Sequence, residues 1–219
     1  LNNPKGTVNI GLVGKYIELQ DAYISINEAL KHAGVSLEHA VNIKKIHSED
    51  ITAENVNRRL EGMDGILVAP GFGGRGIQGK IHAIRYVREQ GIPFFGICLG
   101  LQCAVIEFAR NVLELGSAHS TEMDSFSDHP VIHLMDEQEH VKSYGGTMRL
   151  GAYDCLLKPD SLAASIYNNQ KVISERHRHR FEFNNDYLAD FEQNGMIATG
   201  KNPPNDLVEI IHLYPLARV

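Results

Sequence analysis

Four short apolar runs, each followed by a helical stretch, constrain this chain more than any other feature. Thr7 to Val13, Val41 to His47, Gly65 to Val68 and Phe94-Phe95 read as strands. About Ala22 to His32, Ile51 to Leu60, Gln78 to Gln90 and Leu99 to Arg110 read as the helices between and after them. Regular alternation of this kind predicts a mostly parallel central sheet with helices on both faces, an α/β three-layer sandwich. In such sheets chemistry gathers at the carboxyl ends of the strands. The glycine-rich loop Ala69-Pro70-Gly71-Phe72-Gly73-Gly74-Arg75-Gly76 and the cysteine Cys98 both fall at such ends, so one crevice could receive both.

The second half changes character. Glu114 to Tyr144 is polar and acidic, with Asp124, Asp128, Asp136, Glu137 and Glu139, and reads as a solvated excursion carrying a short strand near Val131 to Leu134. Shorter strand signals follow at Tyr153 to Leu156, Val172 to Phe183, Met196 to Thr199 and Leu207 to Leu213. They predict a small antiparallel addition closing over one end of the main sheet.

With 219 residues the chain suits one compact domain, residues 1–219, with residues 1–6 as the remnant of an interdomain linker. A net charge of −6 argues against nucleic acid as a partner, which calls for a basic face. No apolar run approaches the roughly 20 residues that cross a bilayer, so no membrane partner is expected. Three cysteines, Cys98, Cys103 and Cys155, make no disulfide framework, and a cytoplasmic setting is the expectation.

Gly96-Ile97-Cys98-Leu99-Gly100 places a cysteine on the turn between a strand and a helix. Small residues two positions before and after it relieve crowding, as in a nucleophile elbow. The helix that follows points N–H groups and its positive end at the sulfur, which favours the thiolate and can hold an oxyanion. A buried structural cysteine is the plainer alternative. The loop from Gly71 to Gly76 lacks a following Gly-Lys-Ser/Thr and so is no phosphate cradle of the P-loop kind. It either brings a backbone N–H close to a ligand or is an ordinary turn.

Glu175-Arg176-His177-Arg178-His179-Arg180-Phe181 is the second unusual stretch. At strand period Arg176, Arg178 and Arg180 share one face and His177, His179 and Phe181 the other. Such an arginine face either captures a substrate carboxylate or pairs, as a strand edge, with the acidic excursion. No partner spacing supports a metal at His177 and His179, and none is expected. A cysteine nucleophile needs a base, usually histidine. Eleven histidines are present and spacing selects none.

Val68-Ala69-Pro70-Gly71-Phe72-Gly73 with Gly96-Ile97-Cys98-Leu99-Gly100-Leu101-Gln102 resembles the class I, triad-type glutamine amidotransferases. Ser120-Thr121-Glu122, Gly145-Gly146-Thr147-Met148-Arg149-Leu150-Gly151 and Glu175 to Arg180 with Asn184-Asn185 narrow the resemblance to the glutaminase domains of the CTP synthase family. It spans about Lys5 to Ile211, and the two longer blocks are far more specific than the elbow. The resemblance implies a flavodoxin-like fold and attack by Cys98 on the side-chain amide of L-glutamine. It implies an oxyanion hole from the N–H groups of Gly71 and Leu99, and a glutamine pocket also touched by Phe72, Gly100, Leu101 and Gln102. Glu122 would meet the α-ammonium group and Arg180 the α-carboxylate.

It further implies a synthetase domain that uses ATP and Mg2+ to convert UTP to CTP with the released ammonia, with no cofactor in the glutaminase domain itself. The intact enzyme is expected to be a homo-oligomer. The family's His-Pro-Glu triplet, expected after the strand matching Leu207 to Ile211, is not found: the sequence there reads Ile211-His212-Leu213-Tyr214-Pro215, and His129-Pro130 is followed by Val131. No catalytic histidine or glutamate is assigned on sequence, and weak or absent glutaminase activity is expected. The alternative is a glutamine-binding or regulatory module that no longer catalyses.

Overall fold

A computed structural model describes residues 3–19, 21–134 and 148–214. Parts of the sequence reading lie outside them: Asp136, Glu137, Glu139, Tyr144, the Gly145-Gly146-Thr147 half of one motif, and the chain after Tyr214. The chain forms two compact units, Leu1–Glu107 and Phe108–Val219.

The first unit holds a parallel sheet of β1 (Gly6–Gly14), β2 (His39–His47), β3 (Gly65–Val68) and β4 (Phe94–Gly96) in the order β2-β1-β3-β4. This is the doubly wound, flavodoxin-like order, whose direction reverses between β1 and β3 and opens a crevice at their carboxyl ends. Helices α1 (Ile24–Ser36), α2 (Val56–Leu60) and α3 (Ile77–Gln90) connect the strands, and α4 (Leu99–Asn111) follows β4. Leu12, Tyr23, Leu67 and Ala69 are buried together, with Ile10, Ile43 and Ile97 packed against them. Burial of β3 is complete, which explains its uninterrupted apolar sequence.

The helix expected over Ile51 to Leu60 is shorter than its pattern. A 3₁₀ turn occupies Ser48–Asp50, and α2 begins only at Val56. The Asn55 side chain accepts from the Thr52 N–H at 2.9 Å and donates to the Asp50 carbonyl at 2.9 Å, so a side chain takes over the bonds of a helical turn.

The second unit contains the expected antiparallel sheet. β7 (Arg149–Leu157), β8 (Val172–His179), β10 (Met196–Asn202) and β11 (Leu207–Leu213) stand in the order β11-β10-β7-β8, every pair antiparallel. Cys155, Leu157, Ala163, Ala164 and Ile173 form the core on which it packs. A separate sheet joins β5 (His119–Ser120), β6 (Pro130–Leu134) and β9 (Phe181–Phe183). The single strand expected over Val172 to Phe183 is therefore two strands in two sheets, with Arg180 between them. That corrects the shared arginine face. Arg176 and Arg178 lie exposed on β8, whereas Arg180 occupies the corner and is half-buried.

Candidate active site

The elbow forms as its glycine spacing requires. Cys98 takes a φ of +53°, a left-handed conformation rare for a residue with a Cβ. The strain, of order 1–3 kcal/mol, persists only where surrounding structure fixes it. The Ile97 N–H donates to the Val68 carbonyl at 3.1 Å, and the Gln102 N–H to the Cys98 carbonyl at 3.0 Å. A Cβ on Gly100 would stand 2.2 Å from the Val68 oxygen, so only glycine lets α4 start this close to β3. Cys98 is partly exposed while Cys103 and Cys155 are buried. Access thus singles out Cys98 among the three thiols.

At the carboxyl end of β3 the glycine loop comes beside the start of α4. A Cβ built on Gly71 would lie 3.3 Å from Leu99 Cδ2 and 2.9 Å from Lys15 Cε. The two residues expected to form the oxyanion hole are therefore neighbours, one on the loop and one in the first turn of α4, where N–H groups have no intrahelical acceptor. Phe72 is 46 % exposed on the same loop. Gly100 and Gln102 are buried and Leu101 is half-buried along α4.

Two lysines that the sequence reading passed over hold this loop. Lys15, buried just past β1, donates its ammonium to the carbonyls of Phe72 and Gly73. Lys80, fully buried on α3, donates to the Ala69 carbonyl at 2.8 Å. Burial pulls Lys80 down to about 8, and the nearby Lys15 charge acts in the same direction. The neighbouring Cys103 and Cys98 thiols oppose both. The signal was present: Lys80 sits on the α3 face that Ile77, Ile81 and Ile84 make apolar.

In the second unit Glu122 follows β5 and Arg180 precedes β9. β5 runs parallel to β6, and β9 runs antiparallel to it, with Leu134 opposite Phe181. That register brings the Glu122 carboxylate and the Arg180 guanidinium to the same end of the three-stranded sheet. The Glu122 N–H donates to Ser120 Oγ at 3.2 Å, and the Arg180 guanidinium lies 5.7 Å from the Phe181 ring centroid. His212 lies on β11 with its ring 4.3 Å from that of Tyr214. Among the described residues no group of three or more His, Cys, Asp or Glu could hold a metal ion.

The model of the glutamine amidotransferase class-I family matches residues 18–215. The chain is 58 % identical over 213 residues to CTP synthase from Flavobacterium johnsoniae and 57 % identical over 213 residues to that from Halalkalibacterium halodurans. Each alignment takes 97 % of this chain and 40 % of the relative, so the chain spans about two-fifths of the length of these proteins. Among solved structures, the Trypanosoma brucei CTPS glutaminase domain with bound acivicin superposes with a TM-score of 0.82 at 36 % identity. That match covers 94 % of this chain and 79 % of the other. The strained cysteine elbow thus stands in a sequence alike along nearly its whole length, and the chain belongs to the class-I glutamine amidotransferase family.

Proposed function

We propose that this chain is the glutaminase part of a CTP synthase, releasing ammonia from L-glutamine through a thioester on Cys98. The observation that carries the reading is the elbow, with its partly exposed cysteine in a left-handed turn and the Gly71 loop packed beside Leu99. The Cys98 sulfur attacks the amide carbon of the glutamine side chain. The N–H groups of Gly71 and Leu99 receive the oxyanion, and collapse of the tetrahedral intermediate expels ammonia. Water then cleaves the thioester to glutamate. Phe72, Gly100, Leu101 and Gln102 line the pocket in this reading. Glu122 binds the α-ammonium group and Arg180 the α-carboxylate.

In the longer protein the ammonia serves an ATP- and Mg2+-dependent synthetase part that converts UTP to CTP, within a homo-oligomer. The chemistry proposed for this chain runs on thiol, backbone amides and side-chain charges and calls on no cofactor. No helix among the described residues is long and apolar enough to cross a membrane. Three free thiols support a reducing, cytoplasmic location.

The test is single-turnover alkylation by the chloroketone analogue of L-glutamine, read by peptide mass spectrometry. One adduct per chain on Cys98, formed with saturation and blocked by L-glutamine but not by D-glutamine, is expected. Modification of Cys103 or Cys155 instead, or alkylation of Cys98 that L-glutamine does not slow, overturns the assignment.

A further inference from the structure

Three buried and two partly buried side chains in the second unit close into a ring around the corner that carries Arg180. Arg149 on β7 donates to Glu209 on β11 at 2.7 Å and to Glu182 on β9 at 3.3 Å. His179 Nδ1 lies 3.2 Å from Glu182 Oε1, and His179 Nε2 lies 2.8 Å from His177 Nδ1. His177 Nε2 then stands 3.1 Å from Glu209 Oε2, both atoms buried and otherwise without a hydrogen-bond partner, and this contact completes the ring. The carboxylates are almost wholly enclosed and the imidazoles nearly so.

The distances set the number of protons. Glu182, His179, His177 and Glu209 meet across three gaps, and each gap needs one hydrogen, since two lone pairs at about 3 Å repel. Two neutral imidazoles supply two hydrogens, so the chain of four holds one more. That proton also balances the charge: Arg149 offsets one carboxylate, and the extra proton offsets the other. Without it the ring is a buried net anion with one gap unfilled, a costly state. Among the described residues, Tyr153 faces Arg149 and His177, the Cys155 thiol faces Glu209, and Glu175 is taken by the Tyr167 hydroxyl at 2.6 Å.

Burial pushes Glu182 up to about 7 and His179 down to about 4. Burial also acts to raise Glu209, but the His177 and Arg149 bonds outweigh it and hold that carboxyl below its ordinary value. The extra proton therefore sits at the Glu182 end. A raised carboxyl contributes stability that is complete below its ordinary value and lost as pH rises through about 7. The ring spans both sheets of the unit, and the His179–Glu182 contact bridges Arg180 directly.

We propose that Arg149, Glu182, His179, His177 and Glu209 form a one-proton lock on the β8–β9 corner, acting as positioning residues that hold Arg180 ready for a ligand carboxylate while the proton is bound. The effect on ligand binding rests on the reading of Arg180 given above, whereas the lock itself does not. Above neutral pH the proton leaves, the corner loosens and capture of the α-carboxylate weakens, while the thiol chemistry of Cys98 continues.

The experiment has two arms on the full chain. The first follows the Glu182 carboxyl by carbon-13 NMR and the His179 imidazole by nitrogen-15 NMR across pH. Both should move together in one transition near neutrality; separate transitions at ordinary carboxylate and imidazole values overturn the lock. The second measures the half-saturating concentration of the glutamine chloroketone against pH, apart from the maximal alkylation rate. It should rise roughly tenfold through that transition, the scale of a weakened charge-assisted hydrogen bond. In Glu182→Gln, whose amide donates to His179 as the protonated acid does, it should stay low and flat. In His179→Phe, which breaks the chain of hydrogens, it should be high at every pH. A Glu182→Gln variant with the original pH dependence overturns the lock. A chloroketone that never saturates the unaltered chain removes the role of Arg180, and the NMR arm then decides the lock by itself.

Discussion

Cys98 and Lys80 both stand where they do at a cost to the fold. Cys98 keeps a left-handed φ that glycine would adopt without strain, so Cys98→Gly should be more stable than Cys98→Ala by about 1 kcal/mol, measured by urea denaturation. The reverse order would mean that the turn is not strained. Lys80 holds a charge in a fully buried position, where it donates to the Ala69 carbonyl at 2.8 Å. With the folded group near 8 and the unfolded one near 10.5, the unfolded chain binds more protons between those values, and stability should climb as pH rises through that window. The climb should amount to about 3 kcal/mol and vanish in Lys80→Met. The same variant should react more slowly with iodoacetamide at Cys98, roughly fivefold at neutral pH, since a nearby cation at an effective dielectric of about 20 is worth on the order of 1 kcal/mol. An unchanged rate would make Lys80 a support for the Ala69 loop end and nothing more.

Elements carry those residues to their places, and here the sequence was legible to different depths. The parallel strands and the elbow were readable because fully buried strands are written as apolar runs and a turn at a nucleophile demands small neighbours. The break at Arg180 was not readable: Glu175 to Phe183 alternates without a flaw, and only the separate partners of β8 and β9, strands far away in sequence, divide it. The partners of Lys15, Arg149 and Glu182 were not readable for the same reason, since they lie tens of residues away. The order β2-β1-β3-β4 likewise followed from no local pattern. Close approach of β3 to α4 gives a test at this scale. Gly100→Ala forces a methyl into the Val68 backbone and should cost about 3 kcal/mol and shift Cys98. Gly73→Ala meets open space and carries only the penalty of its positive φ, about 1 kcal/mol. Comparable losses in the two variants, read as urea midpoints and iodoacetamide rates, would remove the packing argument.

For the molecule as a whole, the proposed function divides its labour: the first compact unit would carry the nucleophile and the oxyanion loop, the second the charged groups for a zwitterion's ends. Family membership was legible almost from end to end, because the Arg-His-Arg-His-Arg block and the cysteine elbow are both dense in uncommon residues. The base that would assist Cys98 was not, since no spacing picks one histidine among eleven. Division of labour makes a prediction about kinetics. Recognition of the α-groups is binding spent equally before and at the transition state, so its loss should appear in half-saturation and not in the maximal rate. Arg180→Ala and Glu122→Ala should each raise the half-saturating concentration of the glutamine chloroketone, by roughly tenfold or more for a lost charge-assisted hydrogen bond, with the maximal alkylation rate within about twofold. Against an analogue that lacks the α-carboxylate, Arg180→Ala should bind like the unaltered chain while Glu122→Ala still binds worse; lacking the α-ammonium group, the analogue should reverse the pattern. If both variants lose affinity for both truncated analogues alike, the two charges shape the unit as a pair and do not divide the ligand between them.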